Sequence, residues 1–258
     1  MNTDISIDDI INGVDKHEFE LRFSPQVDLS KGVATGMDPN LVWAKDGYET
    51  LTKSAILGIL DRHNKRISFF LYYLLRALKA HAELQRMGHH FPLSITLRPS
   101  ELASEGFFNA VTQIFHDSGA SAQDITLQLP PTLFDDFYNH LPTLGRLIDF
   151  GFKISIRDFY QDPNTLSKVS RGVIHEVVTP PGLGQRLTTS TKASDNLRKL
   201  VDAATTQQWR CVVDGIGNRH CLDAAAAQGA RVVQGRYFGE GLTLEATRQL
   251  LDSQLSKR

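Results

Sequence analysis

From Leu93 to the C-terminus the chain repeats one unit, a short apolar strand followed by a helix. "LSITL" precedes "GFFNAVTQIFHDSG", "ITLQL" precedes "PTLFDDFYNHLPTLGRLIDFG", and "KISI" precedes a short helical stretch near 164–169. "VIHEVV" precedes a helix from about Lys192 to Gln208, "RCVVD" precedes "RHCLDAAAAQG", and "RVVQ" leads through a loop to "TLEATRQLLDSQL". Strands that alternate with helices pair in parallel through right-handed crossovers. Ahead of the repeat stand two extended runs, "FELRFSPQVDL" and "GVATGMDPNLVW", separated by the turn-forming Asp28-Leu29-Ser30-Lys31-Gly32. About eight strand candidates in a chain of this size predict an α/β fold. The architecture expected is a modified TIM-like (β/α)8 barrel, with an antiparallel first strand supplied by the hairpin. Ser6 before "IDDIING" predicts a short capped helix, and "TKSAILGILDRHN" and "ISFFLYYLLRALKAHAELQRMG" have helical period.

Charge and targeting signals narrow the function classes. The 28 basic and 29 acidic residues leave a formal charge of −1, so no global field draws the chain to nucleic acid or anionic lipid. The longest apolar run, Ile67 to Leu75, is stopped by Arg76, well short of the ~20 residues a membrane span needs. The acidic N-terminus lacks the basic and apolar regions of a secretory signal. Cys211 and Cys221 then read as reduced thiols, and the expected location is cytoplasmic. No linker divides the sequence, so residues 1–258 read as a single domain with its core at about 19–250 and no attached signalling domain.

In a barrel of this kind the working face lies at the C-terminal ends of the strands. Those ends carry Asp38 with Asn40, Thr96 with Arg98, Gln128, Arg157 with Asp158, Val178, Asp214 and Gln234. Elsewhere the signals are plainer. His89-His90 after Gly88 reads as a solvated turn. "GIGNRH" and "GLGQRL" begin like phosphate-binding loops but lack a third glycine. "TPPGLGQRLTTSTKAS" reads as a long flexible loop, either a partner-binding segment or a plain insertion. "FFLYYLL" reads as barrel cover, with a docking or dimer stripe as the alternative.

In order along the chain, several of these segments resemble the EAL domain family of cyclic-di-GMP phosphodiesterases. "FSPQVDLSKGVATGMDPNLVW" is similar to the family opening that runs into E-A-L-x-R-W, and "ITLRPSEL" to V-N-x-S-P-x-x-L. "ITLQLPPTLF" stands where the family has E-x-T-E, and "LIDFGFKISIRDFYQDPNTL" resembles the segment around D-D-F-G. "CVVDGIGN" looks like A-E-G-V-E, and "AAAQGARVVQGRYFGEGL" like the ending Q-G-Y-x-x-x-P. The resemblance implies the modified barrel and a mouth that gathers carboxylates around two divalent cations, which activate a water for phosphodiester hydrolysis.

Carried over residue by residue, the resemblance implies a degenerate former metal site. Asp38 stands for the glutamate of E-A-L, and Val42 for the arginine of that motif. Thr96 replaces the metal-binding asparagine, and Gln128 the first glutamate of E-x-T-E. Arg157 replaces the first aspartate of D-D-F-G, while Asp158 keeps the second. Val178 aligns with the catalytic lysine, and Asp214 with the glutamate of A-E-G. An arginine stays protonated in any protein environment, so Arg157 is expected to take the cations' place by pairing with Asp38, Asp158 or Asp214. The alternative role for Asp158 and Asp214 is to cap helices or loop amides.

No catalytic residue, bound metal or cofactor is therefore expected. The implied function is a catalytically inactive regulatory protein of this family that binds another protein, such as a transcription factor. The alternative is a metal-independent cyclic-di-GMP receptor, with Arg98, Arg157, Tyr160, Gln234 and Tyr237 as contacts. Neither a membrane nor a nucleic acid is an expected partner, and homodimerisation is left open.

Overall fold

The chain opens as its local chemistry requires. Ser6 accepts a hydrogen bond from the Asp9 amide, and the Asp9 carboxylate accepts from the Ser6 amide, a reciprocal cap that starts helix α1, Ile7–Asp15. The hairpin follows, β1 (Phe19–Asp28) against β2 (Val33–Trp43). Its turn is held by the Asp28 carboxylate, which accepts from the Ser30 amide at 2.9 Å, and by Gly32 at φ +65°. The computed structural model describes residues 5–44, 53–159 and 172–255. The short helix expected near 164–169 lies outside them.

β3 (Leu93–Thr96), β4 (Ile125–Leu129), β5 (Lys153–Ile156), β6 (Glu176–Val178), β7 (Arg210–Val213) and β8 (Val232–Val233) complete a closed barrel in sequence order. Every neighbouring pair from β2 to β8 is parallel, whereas β1 runs antiparallel to both β2 and β8. The modified (β/α)8 barrel expected from the alternation is the fold observed. Helices α2 (Lys53–Arg62), α3 (Arg66–Arg86), α4 (Pro99–Leu102), α5 (Phe107–Ser118) and α6 (Phe137–Phe150) accompany the first half. Helices α7 (Pro181–Arg186), α8 (Thr191–Gln207), α9 (Arg219–Ala227) and α10 (Leu244–Leu255) accompany the second.

The segment expected to be a long flexible loop is instead mostly helical. Pro181 begins α7, and Ser190 caps α8 by accepting from the Ala193 amide. A proline at the first helical position gives up no hydrogen bond. The glycine-bearing loops have a packing role. A Cβ at Gly215, where φ is +85°, would stand 1.9 Å from the Pro181 carbonyl oxygen, and one at Gly184 would stand 2.1 Å from the Asp214 oxygen. These glycines let α7 sit directly on the loop after β7.

Strand alternation divides the side chains. Ile154, Ile156, Val177 and Leu127 join the aromatic residues of the outer helices in the main core. Phe70, Tyr73 and Leu74 of α3 belong to that core, so "FFLYYLL" is barrel cover. Val178, Val212 and Val232 form a small cluster of their own. On β6 and β7 each valine lies two residues beyond a charged residue, Glu176 or Arg210, and on β7 and β8 two residues before Asp214 or Gln234. The three valines thus make an apolar layer inside the barrel, with polar groups below it and the mouth above it.

Candidate functional site at the barrel mouth

The strand ends bring Asp38, Gln128, Arg157 and Asp214 together. Asp38 stands on β2, which is long enough to carry its carboxylate inward, and it is 6 % exposed. Arg157 follows β5 directly. Its amide donates to the Leu129 carbonyl, which continues the ladder for one residue and aims the side chain into the barrel. Arg157 Nη1 donates to Asp38 Oδ2 at 2.8 Å and to Gln128 Oε1 at 3.1 Å, and Nη2 lies 4.0 Å from Asp214 Oδ2. The Asp38 carboxylate, then burial acting in the opposite sense, set the guanidinium's pKa, which ends above the ordinary arginine value.

Asp214 is held from several sides. Its own amide donates to Thr179 Oγ1, its carboxylate accepts from the Gly215 amide at 2.6 Å, and Gln234 hydrogen-bonds to the same carboxylate. Burial nevertheless prevails and pushes the Asp214 carboxyl above the usual aspartate value. Behind Asp38, the Tyr73 hydroxyl donates to the Pro39 carbonyl at 2.6 Å. Burial, reinforced by the Asp38 charge, raises that phenol well above its ordinary value.

The other expected residues are placed as follows. Thr96, Arg98 and Asp158 line the cleft that leads to Asp38, Gln128 and Arg157, together with Ser24 and Glu240. Asp158 is exposed and adopts φ 58°, a left-handed conformation that aspartate tolerates better than most residues. Val178 is fully buried in the apolar layer below the mouth, not at its rim. Tyr160 lies outside the described residues. Tyr237 departs from the expectation. The chain turns at Gly235, where φ is 139°, and Tyr237 packs edge-on against Phe238 at 5.1 Å and hydrogen-bonds with Arg219, away from the residues that line the cleft.

Divalent cations need several oxygen ligands, chiefly carboxylates. Here two of the three carboxylates face one guanidinium, and Thr96 and Gln128 are neutral. A cation ~4 Å from Arg157 would be repelled by ~4 kcal/mol per unit charge at an effective dielectric of ~20. Among the described residues no three His, Cys, Asp or Glu side chains stand close enough to hold a metal. The donor set does not suit a pair of hard divalent cations.

A second polar centre, absent from the sequence-based expectations, lies at the opposite end of the barrel. Arg210 Nη1 donates to Gln26 Oε1 at 2.6 Å and to Glu176, and Gln26 Nε2 donates to Ser94 Oγ at 3.3 Å. Its signal was present, namely one charge on each of two neighbouring strands, in register, in "HEVV" and "RCVV". His89 was also misread. It is 4 % exposed and pairs with Asp252 at 2.9 Å, because the chain after Gly88 folds under α10. Both cysteines are free, and burial pushes the Cys211 thiol up to about 12. Among the described residues no helix is long and apolar enough to cross a membrane.

Comparison with known proteins agrees with this geometry. The family model described as "EAL domain" matches residues 7–240, so the chain belongs to the EAL domain family. The cyclic di-GMP phosphodiesterase RocR of Pseudomonas aeruginosa is 20% identical over 234 residues, which cover 90% of this chain and 60% of RocR. The chain therefore spans about 60% of the length of that relative. Among solved structures, the EAL enzyme Bd1971 with cAMP and cyclic-di-GMP bound superposes with a TM-score of 0.84 at 19% identity, over 95% of this chain and 67% of that one. The FimX EAL domain of Xanthomonas citri in complex with c-diGMP gives a TM-score of 0.80 at 15% identity, over 92% of this chain and 94% of that one. At these identities the structural likeness concerns the fold.

Proposed function

We propose that this EAL-domain chain is a regulatory protein without phosphodiesterase activity, acting through binding to another protein. The observation that supports this reading is the Arg157 guanidinium between Asp38 and Gln128 in the mouth. It supplies the positive charge that the carboxylates require and stands where a hydrolytic site of this family gathers its cations. A rigid barrel keeps its fold when its mouth loses its chemistry, and its helices and loops stay available as an interface. A cytoplasmic target such as a transcription factor fits this role.

A second reading makes the mouth a metal-independent receptor for cyclic-di-GMP. It draws on the relatives solved with that nucleotide bound and on Arg98, exposed on the wall of the cleft. The deciding experiment incubates the purified chain with cyclic-di-GMP and Mn²⁺ and follows the linear product. None is expected, and product that disappears in Asp214→Ala overturns the proposal. Calorimetric titration with the same nucleotide then separates the two readings. Heat that saturates identifies a receptor, and no heat at high micromolar nucleotide leaves the protein-binding role.

A further inference from the structure

Beside the mouth a second cleft opens between the end of β2 and helices α2 and α3. Phe19, Trp43, Phe69, Phe70 and Tyr73 contribute most of its apolar wall. Phe19 stacks on Trp43 at 4.9 Å and meets Phe69 edge-on at 5.2 Å, so the wall is a continuous aromatic surface. The charged residues Arg66, Arg98 and Glu101 are set into it. Arg66, the first residue of α3, is 7 % exposed.

The bonding of this arginine is incomplete. A guanidinium carries five N–H donors. Arg66 Nη2 donates to Asp61 at 3.0 Å, while Nε lies 3.6 Å from Glu101 Oε1, beyond hydrogen-bond reach. Among the described residues neither Nε nor Nη1 has an acceptor. The carboxylate best placed to compensate is already engaged, because Glu101 Oε2 accepts from the Arg98 amide at 2.8 Å. Burial raises the Glu101 carboxyl above its ordinary value. Asp61, the remaining counter-ion, has a half-exposed side chain and is screened by solvent. The Arg98 side chain lines the same cleft and adds positive charge, which together with burial holds Arg66 below the ordinary arginine value. Two guanidinium groups thus share one largely apolar cleft, and the buried one has donors that no described protein group receives.

We propose that this cleft binds a small amphiphilic anion, with an aromatic or acyl body against the Phe19–Trp43–Phe69 surface and a carboxylate, sulfonate or phosphate received by Arg66 and Arg98. The terminal guanidinium turns toward the cleft on binding, a change between staggered side-chain torsions. Charge-assisted hydrogen bonds of this kind are roughly twice as strong as neutral ones, and a low-dielectric wall strengthens them further. The head group, not the body, then carries the selectivity.

The test uses 8-anilinonaphthalene-1-sulfonate and its uncharged counterpart N-phenyl-1-naphthylamine, titrated against the folded chain by fluorescence. The sulfonate is expected to saturate at one site per chain. Arg66→Met weakens it about tenfold, the scale of one charge-assisted hydrogen bond. Arg98→Ala weakens it about threefold, and the neutral probe binds all three proteins alike. Arg98 is exposed, so its variant keeps the fold and decides the matter alone if Arg66→Met does not fold. Sulfonate affinity unchanged in the folded variants, equal weakening of both probes, or no saturable binding to the wild type would each overturn the proposal.

Discussion

The two ends of the barrel interior answer the same problem with different charge counts. Below the valine layer, Arg210 meets one carboxylate, Glu176, and one amide, Gln26. Above it, Arg157 meets Asp38 and an amide, Gln128, with Asp214 at 4.0 Å and Asp158 next to it in the chain. The lower centre is balanced one to one, although Glu176 Oε1, Ser155 Oγ and Arg210 Nη2 go unpaired. The upper centre has three carboxylates to one guanidinium and opens on a cleft. Both arginine side chains are about a quarter exposed, 27 % at Arg210 and 28 % at Arg157. The charge count and not the depth therefore separates the two ends, and the balanced pair serves mainly as a plug. An unbalanced one beside solvent stays responsive to protons and to added charge.

The largest expected effect comes from breaking the plug. Arg210→Met leaves Glu176, 3 % exposed, with a buried and unanswered charge. Removing one partner of such a pair costs about 3 kcal/mol or more, read as a lowered urea midpoint. A loss below about 1 kcal/mol would erase the distinction drawn between the two ends.

At the mouth, Arg157→Gln is expected to cost about 2 kcal/mol at pH 7, since it unpairs Asp38 while the cleft admits water to soften the loss. Burial already raises the Asp214 carboxyl and Arg157 opposes that rise, so without the guanidinium it rises further. Its protonation then favours the folded state, and the deficit shrinks as the pH falls. A deficit that does not vary with pH would place the charge surplus elsewhere.

The smallest effect sharpens the contrast. Burial holds Asp214 above its unfolded value, so this group contributes stability at pH below about 3.8, lost as pH rises through its folded value. Asp214→Asn keeps the acceptor for the Gly215 amide and does not ionise. Its stability relative to wild type should be higher at pH 7 than at pH 3, by at most about 1 kcal/mol. The reverse trend in paired denaturation curves would show that Arg157, not burial, governs this carboxylate.

Much of this architecture was legible because period and punctuation agree along the chain. The alternation after Leu93 specified the parallel barrel, the turn at Asp28 to Gly32 specified the antiparallel start, and the strand-end rule led to Asp38, Gln128, Arg157 and Asp214. What stayed hidden depends on how segments meet. Pro180 and Pro181 stand in the stretch expected to be a loop, yet they begin a helix in place. Glu176 and Arg210 looked incidental until strand register set them side by side. Tyr237 reads as a candidate stacking contact for a nucleotide; in the structure it follows Gly235, where φ is 139°, and packs against Phe238. Arg66 carried no signal in the sequence, since burial of its guanidinium is decided by residues from three distant segments.

The layer of Val178, Val212 and Val232 has a further consequence. The three valines stand on neighbouring strands, β6 to β8, and wall one side of the lumen with hydrocarbon. On the far side Gln128, which accepts from Arg157, stands in register with Ser155. A lineage could therefore rewrite the upper chamber on the valine side while the lower one went on closing the floor.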